Sequence, residues 1–447
     1  MRTVLVANRG EIARRVFRAC RRVGLRTVAV YSEADKQAPH VREADEAVLL
    51  GPAPARESYL DVERLLDAAR RTGADAIHPG YGFLSENWQF ADACVRAGLK
   101  FIGPPAEAVR AMGDKTEARR LMAAAGVPTV PGSAGPLADA VEAETLAAKI
   151  GFPVVLKAAG GGGGIGMARV DKAADLSAAF ATATRRAQSA FGNPAVYVER
   201  YLERPRHVEV QVFGDTHGAV VHLHERECSI QRRHQKLVEE SPAPNLPAAT
   251  KRGLTEAAVA GARAIGYVNA GTMEFLVDAG GAFYFLEMNT RIQVEHPVTE
   301  EVTGLDLVVA QLRAAAGEPL PWRQGEIVQR RAAIECRVYA EDPSKGFLPS
   351  PGTVQKLELS SGEGIRIESG IETGSTVSVH YDPLLLKLVA HGATRAQAIE
   401  RMTDALDRSV IEGVRTTIPF LRRVVASAEF REGRVHTQML EQGAFNA

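Results

Sequence analysis

Cysteine is scarce in this 447-residue chain. Cys20, Cys94, Cys228 and Cys336 lie far apart, with no CxxC and no Cys/His pair at zinc-ligand spacing. That argues against a disulfide framework or a zinc ribbon and suits reduced thiols in a cytoplasmic protein. No stretch of about 18 uncharged apolar residues occurs, so no segment reads as a membrane-spanning helix. Met1 to Ala7 passes straight into a strand pattern, without the charged region, apolar stretch and cleavage site of a secretion signal. Net charge is missing as well, because 54 Lys+Arg balance 54 Asp+Glu. A basic surface for nucleic acid or an anionic membrane is therefore not expected, and an anionic ligand must be met locally. Among the cations lysine is rare, 11 against 43 arginines, so the position of each lysine carries information.

What is present is an ordinary globular composition, 45% hydrophobic and 24% charged, long enough for about three domains or subdomains. Residues 3–7 read as a buried strand, Gly10 to Gly24 as a helix with Ile12, Val16 and Cys20 on one face, and Thr27 to Tyr31 as a strand again. A helix from Tyr59 to Thr72, a strand at 76–78 and a helix from Asn87 to Ala97 follow. This alternation predicts a doubly wound parallel sheet up to about residue 112. Its first turn, Asn8-Arg9-Gly10-Glu11, has one glycine and is a weak signal for a dinucleotide. A mixed unit begins near Gly113-Asp114-Lys115. From about 331 an α+β tail is expected, with strands Ala332 to Tyr339, Gly352 to Leu359 and Thr376 to His380, then helices Arg395 to Ile411 and Ile418 to Ser427.

Three segments carry chemistry. In the first, an apolar strand delivers Lys157 and is followed by glycines 160–164 before another strand at Met167 to Val170. Backbone N–H groups without side chains can approach phosphate oxygens closely, and the lysine adds a point charge, so this reads as a phosphate lid; a plain flexible linker is the alternative. In the second, Thr272 to Met288 forms two apolar runs around Gly280-Gly281, a hairpin signature. With those glycines as a two-residue turn, Glu274 faces Glu287. Like charges so placed repel unless a cation lies between them, which points to a divalent ion with oxygen ligands, Mg²⁺ or Mn²⁺. Continuing with period 2, Asn289, Arg291, Gln293 and Glu295 share that face, although a solvated strand face would show the same alternation. The third is His207-Val-Glu209-Val-Gln211 together with the dense run Glu225 to Lys236, where His234 and Lys236 are cofacial if extended. Each alone is more often a solvated face.

Taken together, Ala7 to Ala13, His78-Pro-Gly-Tyr-Gly-Phe-Leu-Ser-Glu-Asn87, Met112 to Lys115, the Lys157 glycine segment, Gln231 to Lys236 and Glu287 to Glu300 closely resemble biotin carboxylase, the ATP-grasp component of biotin-dependent carboxylases. The resemblance spans nearly the whole chain. It implies an α/β and α+β multidomain fold: an N-terminal unit at 1–112, an ATP-grasp unit at 113–330 with a lid at about 130–203, and a C-terminal α+β unit at 331–447. It also implies ATP-dependent carboxylation of biotin by bicarbonate through carboxyphosphate. Lys115 and Lys157 would hold the phosphates of ATP under Gly163 and Gly164. Glu199, Arg200, Tyr201 and Leu202 would form the adenine hinge, with His207, Gln231 and His234 also on the nucleotide. Glu274, Glu287 and Asn289 would bind two Mg²⁺ or Mn²⁺ ions. Lys236, Arg291, Gln293 and the backbone of Val294 would cradle bicarbonate, and Glu295 would act as general base. Arg337 would stabilise the biotin enolate oxygen, with Tyr81 beside the biotin.

Where many members carry an arginine after the glycines this chain has Ile165, and Arg200 stands where lysine is common. No lysine is flanked by methionines, so biotin is expected on a carrier protein or domain, alongside a carboxyltransferase partner. A homodimer is implied, with Arg15 and Arg18 as interface candidates. The rival readings are another bicarbonate-phosphorylating ATP-grasp ligase, such as a carbamoyl phosphate synthetase-like domain, and a non-catalytic nucleotide-binding regulator.

Overall fold

The computed structural model describes residues 1–158, 167–233 and 235–445. Residues 3–6 form a fully buried strand at the centre of a five-stranded parallel sheet, in the order Glu46–Gly51, Arg26–Ser32, Thr3–Val6, Ala76–His78, Lys100–Phe101. The expected doubly wound unit is therefore observed. Its first helix, Gly10–Arg22, buries Ile12, Val16 and Cys20 as the 3.6-residue period requires. The single-glycine turn before it is held by Asn8, whose side-chain amide donates to the carbonyls of Pro79 (2.8 Å) and Tyr81 (2.7 Å). Gly80 makes this approach possible, since a Cβ there would come within 2.8 Å of Asn8 Nδ2.

A small three-stranded antiparallel sheet, ordered Ala168–Val170, Val154–Ala158, Val196–Arg200, packs with helices Ala140–Ile150 and Leu176–Phe191 around its own apolar core. The glycine segment joins two of its strands. Gly163, Gly164 and Ile165 lie outside the described residues.

An antiparallel sheet of eight strands dominates the rest, ordered Phe283–Asn289, Asn269–Val277, Arg206–Gly214, Val220–Arg232, Gln235–Ser241, Ala332–Tyr339, Leu384–Gly392, Ile365–Ser369. It runs unbroken from the central unit into the C-terminal one through the pairing of Val238 with Cys336 and Glu239 with Glu335. One hydrophobic cluster, including Leu237, Val238, Ile334, Leu388 and Leu421, spans the same junction. The last two strands of this sheet were not anticipated from sequence. The expected helix from Arg395 to Ile411 ends at Arg408. Ser409 Oγ turns back to the Ala405 carbonyl (2.7 Å), and β-branched Val410 and Ile411 enter a strand, Val410–Glu412, paired with Lys356–Glu358. The expected strand Gly352 to Leu359 is two short pieces, Gly352–Thr353 and Lys356–Glu358, and Thr376 to His380 contracts to Thr376–Val377. Among the described residues no helix is long and apolar enough to cross a membrane.

Candidate active site

The Asn269–Val277 and Phe283–Asn289 strands do place Glu274 opposite Glu287, but by another route than a two-residue turn. Asp278 accepts hydrogen bonds from the amides of Gly280 (2.9 Å) and Ala282 (3.0 Å), which closes a longer loop. Near that loop Val277 pairs with Phe283 and Phe275 with Phe285. A bulge between Phe285 and Glu287 then shifts the register by one residue, bringing the two glutamates level. Past Asn289 the chain leaves the sheet, so the expected single strand face stops there. Arg291 and Gln293 follow in an irregular segment, and a turn ahead of helix His296–Thr303 delivers Glu295. The polar residues still converge. Arg291 donates to Asn289 Oδ1 (2.7 Å), Gln293 Oε1 (2.9 Å) and Glu86 Oε2 (3.1 Å), and Gln293 Nε2 donates to Glu274 Oε1 (3.0 Å).

Lys236 is the hub. Its buried ammonium donates to Glu209 Oε2 (2.5 Å), Glu274 Oε1 (2.8 Å) and Glu295 Oε1 (2.7 Å). Burial opposes its charge, but these three carboxylates raise its pKa well above the ordinary lysine value. Burial likewise opposes ionisation of Glu295, yet Lys236, Arg337 and Arg226 together hold it well below the usual carboxylate range. Glu274 is held low against burial by Lys236 and then His207, whose Nε2 lies 3.0 Å from Glu274 Oε2. Glu287 opens onto the cavity; desolvation there, followed by the Glu274 charge, pushes its carboxyl up. Arg337 bridges Glu295 (2.8 Å) and Glu239 (2.6 Å). Gln231 faces Lys236 across a tight hairpin that turns at Arg233, with φ +48°, so this segment is folded back on itself instead of extended. His234 lies outside the described residues.

Of these groups, Lys236, Glu274, Glu287, Asn289, Arg291, Gln293 and Arg337 line a cavity of about 930 Å³ whose wall also includes Lys115, Lys157, Tyr81 and Glu199 to Leu202. Lys115 opens the helix Lys115–Ala124, whose N-cap, Asp114, accepts from the amides of Thr116 and Glu117 (both 2.9 Å). Lys157 Nζ is 2.5 Å from Glu199 Oε2. Burial first, then the Arg119 and Lys115 charges, push the Lys157 ammonium down to about 8, and its ion pair with Glu199 works against them. Tyr81 donates to Glu11 Oε1, and its ring lies under Lys387 Nζ, 5.9 Å from centroid to nitrogen.

Family comparison divides the chain in three: residues 1–109 match the biotin carboxylase N-terminal domain, 114–323 the ATP-binding domain of the carbamoyl-phosphate synthase L chain, and 335–442 the biotin carboxylase C-terminal domain. Biotin carboxylase 2 of Bacillus subtilis is 51% identical over 98% of this chain and 99% of its own. The chain belongs to the biotin carboxylase family. The mitochondrial methylcrotonoyl-CoA carboxylase subunit alpha of Arabidopsis thaliana is also 51% identical over 98% of this chain, which spans only 60% of that longer protein. In structure, the biotin carboxylase–β,γ-ATP complex from Campylobacter jejuni superposes with a TM-score of 0.93 at 47% identity, covering 99% of this chain and 98% of that one. The biotin carboxylase domain dimer of Hydrogenobacter thermophilus 2-oxoglutarate carboxylase, in complex with MgADP, ADP and bicarbonate, gives 0.92 at 48%, covering 99% and 97%.

Several members of this biotin carboxylase-family site escaped the sequence reading. Arg226 is wholly buried and donates to Glu209 (2.6 Å), Gln211 (2.9 Å), Thr299 (2.8 Å) and Thr272 (3.2 Å). Glu239 anchors Arg337, and Glu86 anchors Arg291. Lys387 donates to the Val294 carbonyl (2.8 Å) and pairs with Glu11 (3.1 Å). Arg226 and Glu86 fall inside motifs that the sequence singles out, but no spacing rule marks them. Arg15 does not suit an interface: it is buried inside the chain, bonded to Glu300 (2.7 Å) and Asp306 (2.6 Å). Arg18 is partly exposed and paired with Glu368.

Proposed function

We propose that this chain carboxylates carrier-bound biotin with bicarbonate at the expense of ATP. The observation that carries the reading is Glu295, held between the Lys236 ammonium and the Arg337 guanidinium, two groups that line the same cavity as Lys115 and Lys157. Bicarbonate is a poor electrophile. Transfer of the γ-phosphoryl group of ATP to its oxygen gives carboxyphosphate, which breaks down to CO₂ and phosphate beside the ureido nitrogen of biotin.

Lys115 and Lys157 take the triphosphate, and Gly163 and Gly164, outside the described residues, are assigned to the same phosphates. Glu199 to Leu202 meet the adenine, with His207, Gln231 and His234 beside the nucleotide. Glu274 and Glu287, level across two strands and followed by Asn289, form a hard-oxygen donor set that fits Mg²⁺ or Mn²⁺. A divalent ion held there supplies charge neutralisation for phosphoryl transfer. Lys236, Arg291, Gln293 and the Val294 backbone hold bicarbonate, the planar fork of Arg291 matching its two oxygens. Cation sharing sets the timing of the base. Bicarbonate drawing Lys236 toward itself weakens the hold of one of the three cations that keep Glu295 ionised, and its basicity rises as it accepts the proton. The phosphate released from carboxyphosphate takes the ureido N–H proton, the nitrogen attacks CO₂, and Arg337 faces the developing enolate oxygen of biotin, near Tyr81.

The family matches to the first and last thirds of the chain favour this over a carbamoyl phosphate synthetase-like ligase. A biotin carrier, a carboxyltransferase partner, a homodimer and a cytoplasmic location complete the reading. It is tested by ATP cleavage stimulated by free biotin in the presence of bicarbonate. Glu295→Ala should lose that stimulation and still bind ATP; near-normal turnover in the variant would sink the base assignment.

A further inference from the structure

Arg119 has no part in the roles above, yet it is built into the nucleotide end of the cavity. It sits four residues after Lys115 on the helix Lys115–Ala124, and so on the same face. Its Nη1 pairs with Glu199 Oε1, while Lys157 Nζ holds the other oxygen of that carboxylate at 2.5 Å. Glu199 is only 4% exposed. Arg119 is fixed by further contacts: Nη2 donates to the Val130 carbonyl (3.1 Å), and the guanidinium lies over the Tyr197 ring, 5.8 Å from its centroid.

We propose that Arg119 is a nucleotide-positioning residue, the standing counter-ion of Glu199 that leaves Lys157 able to transfer to the phosphates of the nucleotide. The inference rests on the reading of Lys157 as a phosphate ligand. Its physical basis is the cost of a lone buried carboxylate. If Lys157 were the only cation on Glu199, moving it to a phosphate would strand a desolvated charge. Arg119 remains and prevents that. The two cations suit these parts: a planar fork with several acceptors is pre-organised and stays, whereas an ammonium on a flexible stem redirects easily. Arg119 and Lys157 on one carboxylate also leave a local surplus of positive charge, which a polyphosphate neutralises.

Calorimetric titration of the full chain with ATP and Mg²⁺ tests this, using Arg119→Met, Glu199→Gln, the double variant and Lys157→Gln. Arg119→Met should weaken ATP binding by about tenfold or more, the scale of coupling between charges sharing one partner, and raise the KM for ATP with little change in kcat. Adding Glu199→Gln should restore most of the affinity, because a neutral amide no longer retains Lys157. A merely structural arginine would not be rescued in this way. Unchanged affinity in Arg119→Met, or no recovery in the double variant, overturns the proposal. Should Arg119→Met fail to melt cooperatively, Arg119→Gln is held to the same two criteria. If Lys157→Gln weakens ATP binding and the Arg119 variants do not, the inference fails alone; if wild type does not bind ATP, or Lys157→Gln leaves binding intact, the phosphate reading fails with it.

Discussion

Glu335 is a carboxyl with no visible use. It is fully buried, neither oxygen has a hydrogen-bond partner among the described residues, and it sits level with Glu239 across the sheet. Burial first, and then the Glu239 charge, raise its pKa well above the ordinary glutamate value, with Lys387 opposing. A group whose folded-state pKa is raised leaves stability intact below the unfolded-state value, and stability falls as pH rises toward the folded value. Glu335→Gln has no proton to lose. Its urea midpoint should gain on wild type as pH rises above the ordinary carboxylate range, and parallel pH profiles would contradict this. Arg226 is the opposite case, since its loss would leave Glu209 buried beside only Lys236. Arg226→Met should cost about 3–5 kcal/mol, as breaking one side of a buried ion pair does. An unchanged denaturation midpoint would refute it.

At the scale of elements, the sequence showed which residues meet more reliably than how they meet. Taking Gly280-Gly281 as a two-residue turn paired Glu274 with Glu287 correctly, yet the register depends on a bulge and on Asp278 capping the loop, and neither has a pattern to read. Alternation also carried on past the end of a strand, because an extended loop keeps the same side-chain parity for a few residues. The strand Leu384–Gly392 is not legible because an apolar run interrupted by Lys387 does not distinguish a buried strand from a buried helix. That strand matters. Lys387 on it holds the Val294 carbonyl and the Glu11 carboxylate, tying the turn that carries Glu295 to the N-terminal helix. Lys387→Met should lower biotin-dependent turnover by about 10- to 100-fold, the scale expected for small misplacements of reacting groups. The KM for bicarbonate should move more than that for ATP, and steady-state kinetics showing the reverse would count against this positioning role.

Seen as a whole molecule, the eight-stranded sheet ignores the boundary that composition and motif suggest near residue 331. Ala332–Tyr339 is an interior strand, bonded on one side to Gln235–Ser241 and on the other to Leu384–Gly392. A chain ended at residue 330 would expose a long edge and remove Arg337 from Glu239 and Glu295. Such a fragment should elute as aggregate in size-exclusion chromatography, and a monodisperse peak would show that the edge is tolerated. The balanced net charge and few lysines of the sequence also acquire a meaning at this scale. Three of those lysines, Lys115, Lys157 and Lys236, line one cavity, and Lys157 has its pKa drawn down to about 8. Burial and the Arg119 and Lys115 charges beside it favour the neutral amine more than a surface lysine's surroundings do. An anionic aldehyde, drawn in by the surrounding cations and able to form an imine, should thus label the protein at this cleft first, making covalent amine chemistry a site-selective probe of a large protein.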